Sequence, residues 1–68
     1  SGGLGLPERD YYLKTDAKSK EIRERYVKHM ANLFELAGVS EAEAKRNSEL
    51  VLKLETQLAK SMLTKEAS

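Results

Sequence analysis

The stretch Gly38-Val39-Ser40-Glu41-Ala42-Glu43 constrains this chain more than any other. Gly38 follows a long run of periodic apolar residues and can take the left-handed conformation that closes a helix C-terminus without a Cβ penalty. Ser40 with Glu43 three residues on reads as a capping box. In that motif the Ser40 hydroxyl accepts from the Glu43 amide, and the Glu43 carboxylate reaches back to the Ser40 amide. A helix stop and a helix start so close together force the two helices to run back antiparallel. The expected fold is therefore all-α: an antiparallel helical hairpin with helices over about 16–37 and about 41–63, joined by a turn at 38–40.

The helical wheel supports both arms. Asp16 is a suitable N-cap for the first helix. Steps of about 100° place Ile22, Tyr26, Met30, Leu33, Leu36 and Ala37 on one face, flanked by Phe34 and Val27, with Lys20, Glu24, Lys28 and Glu35 opposite. The second helix carries Leu50, Val51, Leu52, Leu54, Leu58, Ala59, Met62 and Leu63, with Ala44 near the turn. That arc is wider than one partner helix needs, so both helices carry apolar surface meant for something beyond the hairpin. Self-association of the 68-residue chain is the expectation, as an intact hairpin dimer with Leu50, Leu54, Leu58 and Phe34 at the interface. Glu55 interrupts the second arc, where an unpaired carboxylate is costly. Counting back from the turn sets it opposite Arg23, with Tyr26 one turn away, so either is its expected partner. The sequence before the first helix, Ser1 to Leu13, reads as an extended arm loosened by Gly2, Gly3 and Gly5 and stiffened at Pro7, with Tyr11 and Tyr12 anchoring it on the helices.

Several function classes fall away. Twelve Lys and Arg against eleven Asp and Glu leave a net charge of +1, too weak a field to point to nucleic acid or acidic lipid. Two long helices folded back on each other are also the wrong geometry for a helix-turn-helix. There is no Cys, hence no disulfide or thiolate site. The single histidine, His29, lacks the two or three further ligands a zinc site needs, and a packed or boundary position is its expected role. Gly3-Leu4-Gly5 lacks the third glycine and the strand-to-helix frame of a phosphate loop. No run approaches the roughly 20 apolar residues of a membrane span. The chain opens on Ser1-Gly2-Gly3 without Met, which suggests a piece of a longer protein.

Three ordered segments nevertheless carry a resemblance. Gly3-Leu4-Gly5-Leu6-Pro7-Glu8-Arg9-Asp10-Tyr11-Tyr12-Leu13 resembles the G-L-G-L-P-[DES]-R-D-Y-Y segment in the N-terminal, largely helical region of the neprilysin and endothelin-converting-enzyme family of zinc metallopeptidases. Ile22-Arg23, Tyr26, His29-Met30 and Leu33 are similar to that family's I-R-x-x-Y-x-x-H-[IM]-x-x-[LM] run. Leu54-Glu55-Thr56-Gln57-Leu58-Ala59 resembles its L-E-x-x-[LI]-A segment. The family's H-E-x-x-H helix, third zinc ligand, N-A-[FY] segment and C-terminal catalytic histidine have no counterpart in these residues, so no catalytic, cofactor-binding or zinc-binding role is carried onto this chain.

The resemblance implies a noncatalytic piece of a peptide-cleaving zinc endopeptidase, part of a helical domain that faces the zinc domain across a substrate cavity. Its partners would be the remaining domains of the parent and, through them, peptide substrates, with zinc held elsewhere in the parent. The resemblance leaves the compartment open among cell surfaces, the periplasm and the interior of bacterial cells and favours a periplasmic or extracytoplasmic bacterial setting, and the lack of Cys leans toward a bacterial source. The alternative from the residues alone is a free-standing helical-hairpin module that presents an apolar face to a protein partner.

Overall fold

The computed structural model describes residues 5, 6 and 8–67; the side chains of 63–67 fall outside that description. Gly3, Leu4 and Pro7 of the N-terminal segment, and the Leu63 side chain, therefore lie outside the described residues. The described chain is all-helical, with α1 over Asp10–Leu13, α2 over Ala17–Leu36 and α3 over Glu41–Ala67.

Local chemistry sets each boundary. Asp16, in extended conformation, caps α2: its carboxylate accepts from the Ser19 amide at 3.3 Å and the Ser19 hydroxyl at 2.7 Å. At the other end Gly38 has φ of 99°. The Gly38 amide donates to the Glu35 carbonyl and the Val39 amide to the Phe34 carbonyl, both at 3.0 Å, the paired bonds of a Schellman motif. Ser40 then opens α3, its hydroxyl accepting from the Glu43 amide at 3.3 Å. Glu41 and Glu43 occupy the first turn of α3, where carboxylates favour the helix dipole.

Two expectations need correcting. The segment expected to stay extended through Leu13 is helical from Asp10. The Tyr11 amide donates to Glu8, Tyr12 to Arg9 and Lys14 to Asp10, winding the chain into one turn. That turn buries the Tyr12 ring, which an extended segment would have left beside the helices. The second helix also continues beyond Leu63 to Ala67.

At about 1.5 Å per residue α3 alone is about 40 Å long, close to the longest dimension of 43 Å, so the rest of the described chain folds within its length. The core sits where α1, α2 and α3 meet. Leu6, Tyr12 and Ala59 are its buried residues, with Tyr11, Leu13, Ile22, Tyr26 and Leu52 packed around them. Farther along α3 the fully buried residues are small, Ala44 and Ser48, and short side chains at a helix contact let the backbones approach closely. The Ser48 hydroxyl is satisfied by the Ala44 carbonyl at 2.7 Å. The large leucines of α3 lie outside this contact: Leu50, Leu54 and Leu58 are each more than half exposed. On α2, Leu33 is half exposed and Leu36 almost fully so.

Candidate functional site

The densest chemistry in the molecule is a three-segment node around Glu55. Its Oε1 accepts from the Tyr26 hydroxyl of α2 at 2.7 Å and from the Tyr12 hydroxyl of α1 at 2.8 Å. The Tyr12 hydroxyl in turn accepts from the Leu6 amide at 2.9 Å. One carboxylate oxygen thus ties together a loop, a helical turn and both long helices. Hydrogen bonds to a charged acceptor are the stronger kind, and here the acceptor is partly buried beside the buried Leu6, Tyr12 and Ala59. Burial pushes both tyrosine hydroxyls above their ordinary pKa of 10.0, and the bonds and charge of Glu55 push the same way. The Leu6 amide bond pulls Tyr12 partly back. The carboxylate here stabilises neutral phenols, with no proton donor or nucleophile poised for release.

Arg23 does not join this node. Its Nη1 donates to the Tyr11 and Lys14 carbonyls, both at 2.7 Å, and so satisfies orphan carbonyls at the C-terminal end of α1. Of the two partners expected for Glu55, Tyr26 bonds it and Arg23 does not, because the helical turn offers the guanidinium two acceptors while two hydroxyls already occupy Glu55. Tyr11 thus serves through its backbone and its partly buried ring, whereas Tyr12 serves through its hydroxyl.

Gly5 has a different reason to be glycine from the flexibility read in the sequence. A Cβ built there would run into the Tyr26 hydroxyl and ring, so the backbone passes directly over the node. Tyr12 as a partner of Glu55, and Gly5 and Ser48 as close-approach positions, are what sequence reasoning missed. The only advance signal was the presence of small or aromatic residues in otherwise unassigned places. Gly38, Ser40 and Glu43 lie at the turn, away from the node.

A profile of peptidase family M13 matches residues 1–68. The chain belongs to peptidase family M13. It corresponds to the N-terminal part of that family, the neprilysin and endothelin-converting-enzyme group that its three segments resemble. Among curated relatives, an endothelin-converting enzyme homolog from Locusta migratoria is 35% identical over 65 residues, covering 96% of this chain and 9% of that protein. Endothelin-converting enzyme 1 from Homo sapiens is 37% identical over 65 residues, covering 94% of this chain and 8% of the relative. The M13 segment in hand therefore spans under a tenth of the relatives it matches. No solved structure matches it. Both relatives are animal proteins and lend nothing to a bacterial source.

Family M13 implies zinc in the parent, and a zinc centre needs three or more nitrogen, oxygen or sulfur ligands drawn together. Among the described residues no group of three or more His, Cys, Asp or Glu could hold a metal ion. His29 is exposed on α2, neither packed nor gathered with other donors. The described residues do not fit a zinc centre. Among the described residues no helix is long and apolar enough to cross a membrane.

Proposed function

We propose that this M13 segment is a noncatalytic scaffold of a zinc metalloendopeptidase, in which α2 and α3 form an antiparallel hairpin and residues 5, 6 and 8–13 act as an arm strapped across its open end. The hairpin reading is supported by the short 37–40 link and by Tyr26 meeting Glu55, eleven residues before that link and fifteen after it. One observation carries the scaffold reading. The three segments that resemble the family, scattered along the sequence, converge on one node through Gly5, Leu6 and Tyr12 from the first, Tyr26 from the second, and Glu55 and Ala59 from the third. Their shared task is to join chain segments. In the parent, the exposed leucines of α2 and α3 would pack against further helices of the domain that borders the substrate cavity, and peptide cleavage would take place on zinc held elsewhere.

The test is Glu55→Ala in the full-length peptidase. The expected result is a clear fall in thermal stability and in yield of folded protein, with zinc content and kcat/KM per folded molecule unchanged. A loss of kcat/KM beyond about tenfold at unchanged Tm would assign the node to substrate handling and overturn the scaffold reading.

A further inference from the structure

Positive charge is gathered on one face of the molecule to a degree that the net charge of +1 conceals. An open groove of about 460 Å³ lies where the end of α1 meets α3, with Arg23 of α2 reaching it. Among the described residues four cations line it, Lys14, Arg23, Lys53 and Lys60, against the single carboxylate of Glu49. Outside the groove the balance reverses, to eight Lys and Arg against ten Asp and Glu. The cations are poorly compensated from within. Arg23 spends its Nη1 on the Tyr11 and Lys14 carbonyls, neutral acceptors that hold the guanidinium in place and leave its charge intact. Among the described residues neither Arg23 nor Lys53 has a carboxylate within ion-pair distance. Lys14 meets Asp10 only at 4.0 Å, with both side chains more than half exposed, a contact of little strength.

The spacing selects the kind of anion. Lys53 and Lys60 are seven residues apart on α3, about 10 Å along its axis and within about 20° around it, so one phosphate or sulfate cannot meet both. A chain bearing several carboxylates can. Leu13 and Leu52, both partly buried, line the same groove and offer apolar surface to a peptide side chain. Nucleic acid fits less well, because the aromatic ring here, Tyr12, is 4% exposed and its hydroxyl is committed to Glu55, so no face is open for stacking. More than nine-tenths of each curated relative lies outside the matched residues, so in a full-length peptidase most of the chain able to reach the groove is the parent's own.

We propose that this groove is the docking site for an acidic segment of the parent peptidase that lies outside the present chain, its carboxylates spread between Lys14, Arg23, Lys53 and Lys60. Opposite charge across the contact fixes which segment docks and in what register. The proposal rests on the scaffold role and gives it a partner of stated chemistry: the exposed leucines of α2 and α3 take apolar helices, and this face takes an acidic stretch. Lys53 has no part in the Glu55 node, so the two readings fail separately.

The test is zero-length carbodiimide coupling of the wild-type full-length peptidase, read by peptide mass spectrometry. Amide bonds are expected from Lys14 or Lys53 to Asp and Glu residues of one acidic stretch beyond this chain. Lys53→Glu in the same full-length protein should then lower Tm by about 2 °C at low salt and by less at high salt. Exchanging the coupled acid for Lys in that variant should restore it, a result that a local effect on α3 would not produce. Coupling confined to this chain, for instance to Glu49, an unchanged Tm in Lys53→Glu, or no rescue by the exchanged acid would each overturn the proposal. So would coupling that forms only when an acidic peptide substrate is added, which would make the groove a substrate contact. None of these outcomes bears on Glu55→Ala, whose unchanged kcat/KM is the separate test of the scaffold role.

Discussion

The two ends of the α2–α3 pair are held by different physics. At the turn, every bond that shapes the chain is made within a few residues: Gly38 to Glu35, Val39 to Phe34, Glu43 to Ser40. At the other end the node draws on Leu6, Tyr12, Tyr26 and Glu55, and its bonds span as many as 43 residues. The turn is specified by backbone conformation and tolerates exposure to water. The node is specified by partly buried side chains, where an unmade bond costs more than it does at the surface. Damage at the node should therefore cost more, and should show coupling between distant positions, whereas damage at the turn should be small and additive.

The sharpest way to break that contrast is Glu55→Ala, which removes the acceptor of two hydroxyls at once and is expected to cost about 3 kcal/mol by denaturant unfolding, against about 1 kcal/mol for Glu55→Gln. A double-mutant cycle of Tyr12→Phe with Tyr26→Phe should be non-additive, since both bond one oxygen; strict additivity would mean the node is not a unit. Gly5→Val follows, at about 2 kcal/mol, because the added side chain must displace a tyrosine ring that is hydrogen-bonded in place. Stability measured against pH should separate the ends further. The folded-state pKa values of Tyr12 and Tyr26 are raised above 10.0, so their contribution is complete below about pH 10 and is lost as pH rises beyond it. Tyr26→Phe should flatten that alkaline loss.

Effects at the turn and caps should be smaller. Gly38→Ala places a Cβ at φ of 99° with open space around it, so its cost is conformational alone, about 1 kcal/mol. Ser40→Ala should lose about 0.5–1 kcal/mol of capping. Smallest is the acid response of Asp16, whose carboxyl is held below its ordinary 3.8 chiefly by the Ser19 hydroxyl. Its contribution is present above about pH 4 and fades as pH falls through the lowered value.

The same contrast explains what was legible in the sequence. Asp16, Gly38 and Ser40 could be read because their chemistry is local: a capping carboxylate, a left-handed residue and a hydroxyl each act within a few positions of themselves. Tyr26 was within reach because counting residues from the turn places it near Glu55. Tyr12 was not, since its hydroxyl reaches Glu55 only when residues 10–13 wind into a helical turn, and nothing in Asp10-Tyr11-Tyr12-Leu13 declares that turn without the Arg23 guanidinium to cap it. Arg23, the alternative to Tyr26 at Glu55, is drawn to the Tyr11 and Lys14 carbonyls for the same reason. The helical wheel showed that α3 was apolar over too wide an arc but not which part would turn inward. Close approach selected Ala44, Ser48 and Ala59 and left Leu50, Leu54 and Leu58 outside.

The bond from the Val39 amide to the Phe34 carbonyl closes a loop of five residues, and that from Tyr12 to Glu55 closes one of 43. On chain-entropy grounds the longer closure costs about 2 kcal/mol more. The turn should accordingly assemble early in folding and the node last, in the manner of a clasp fastened after the sleeve is drawn on. In reverse, unfolding should begin with release of the Leu6 and Tyr12 bonds while the backbone bonds around Gly38 still hold. Amide exchange should then run faster at Leu6 than at Val39, even though Leu6 is the more deeply buried of the two.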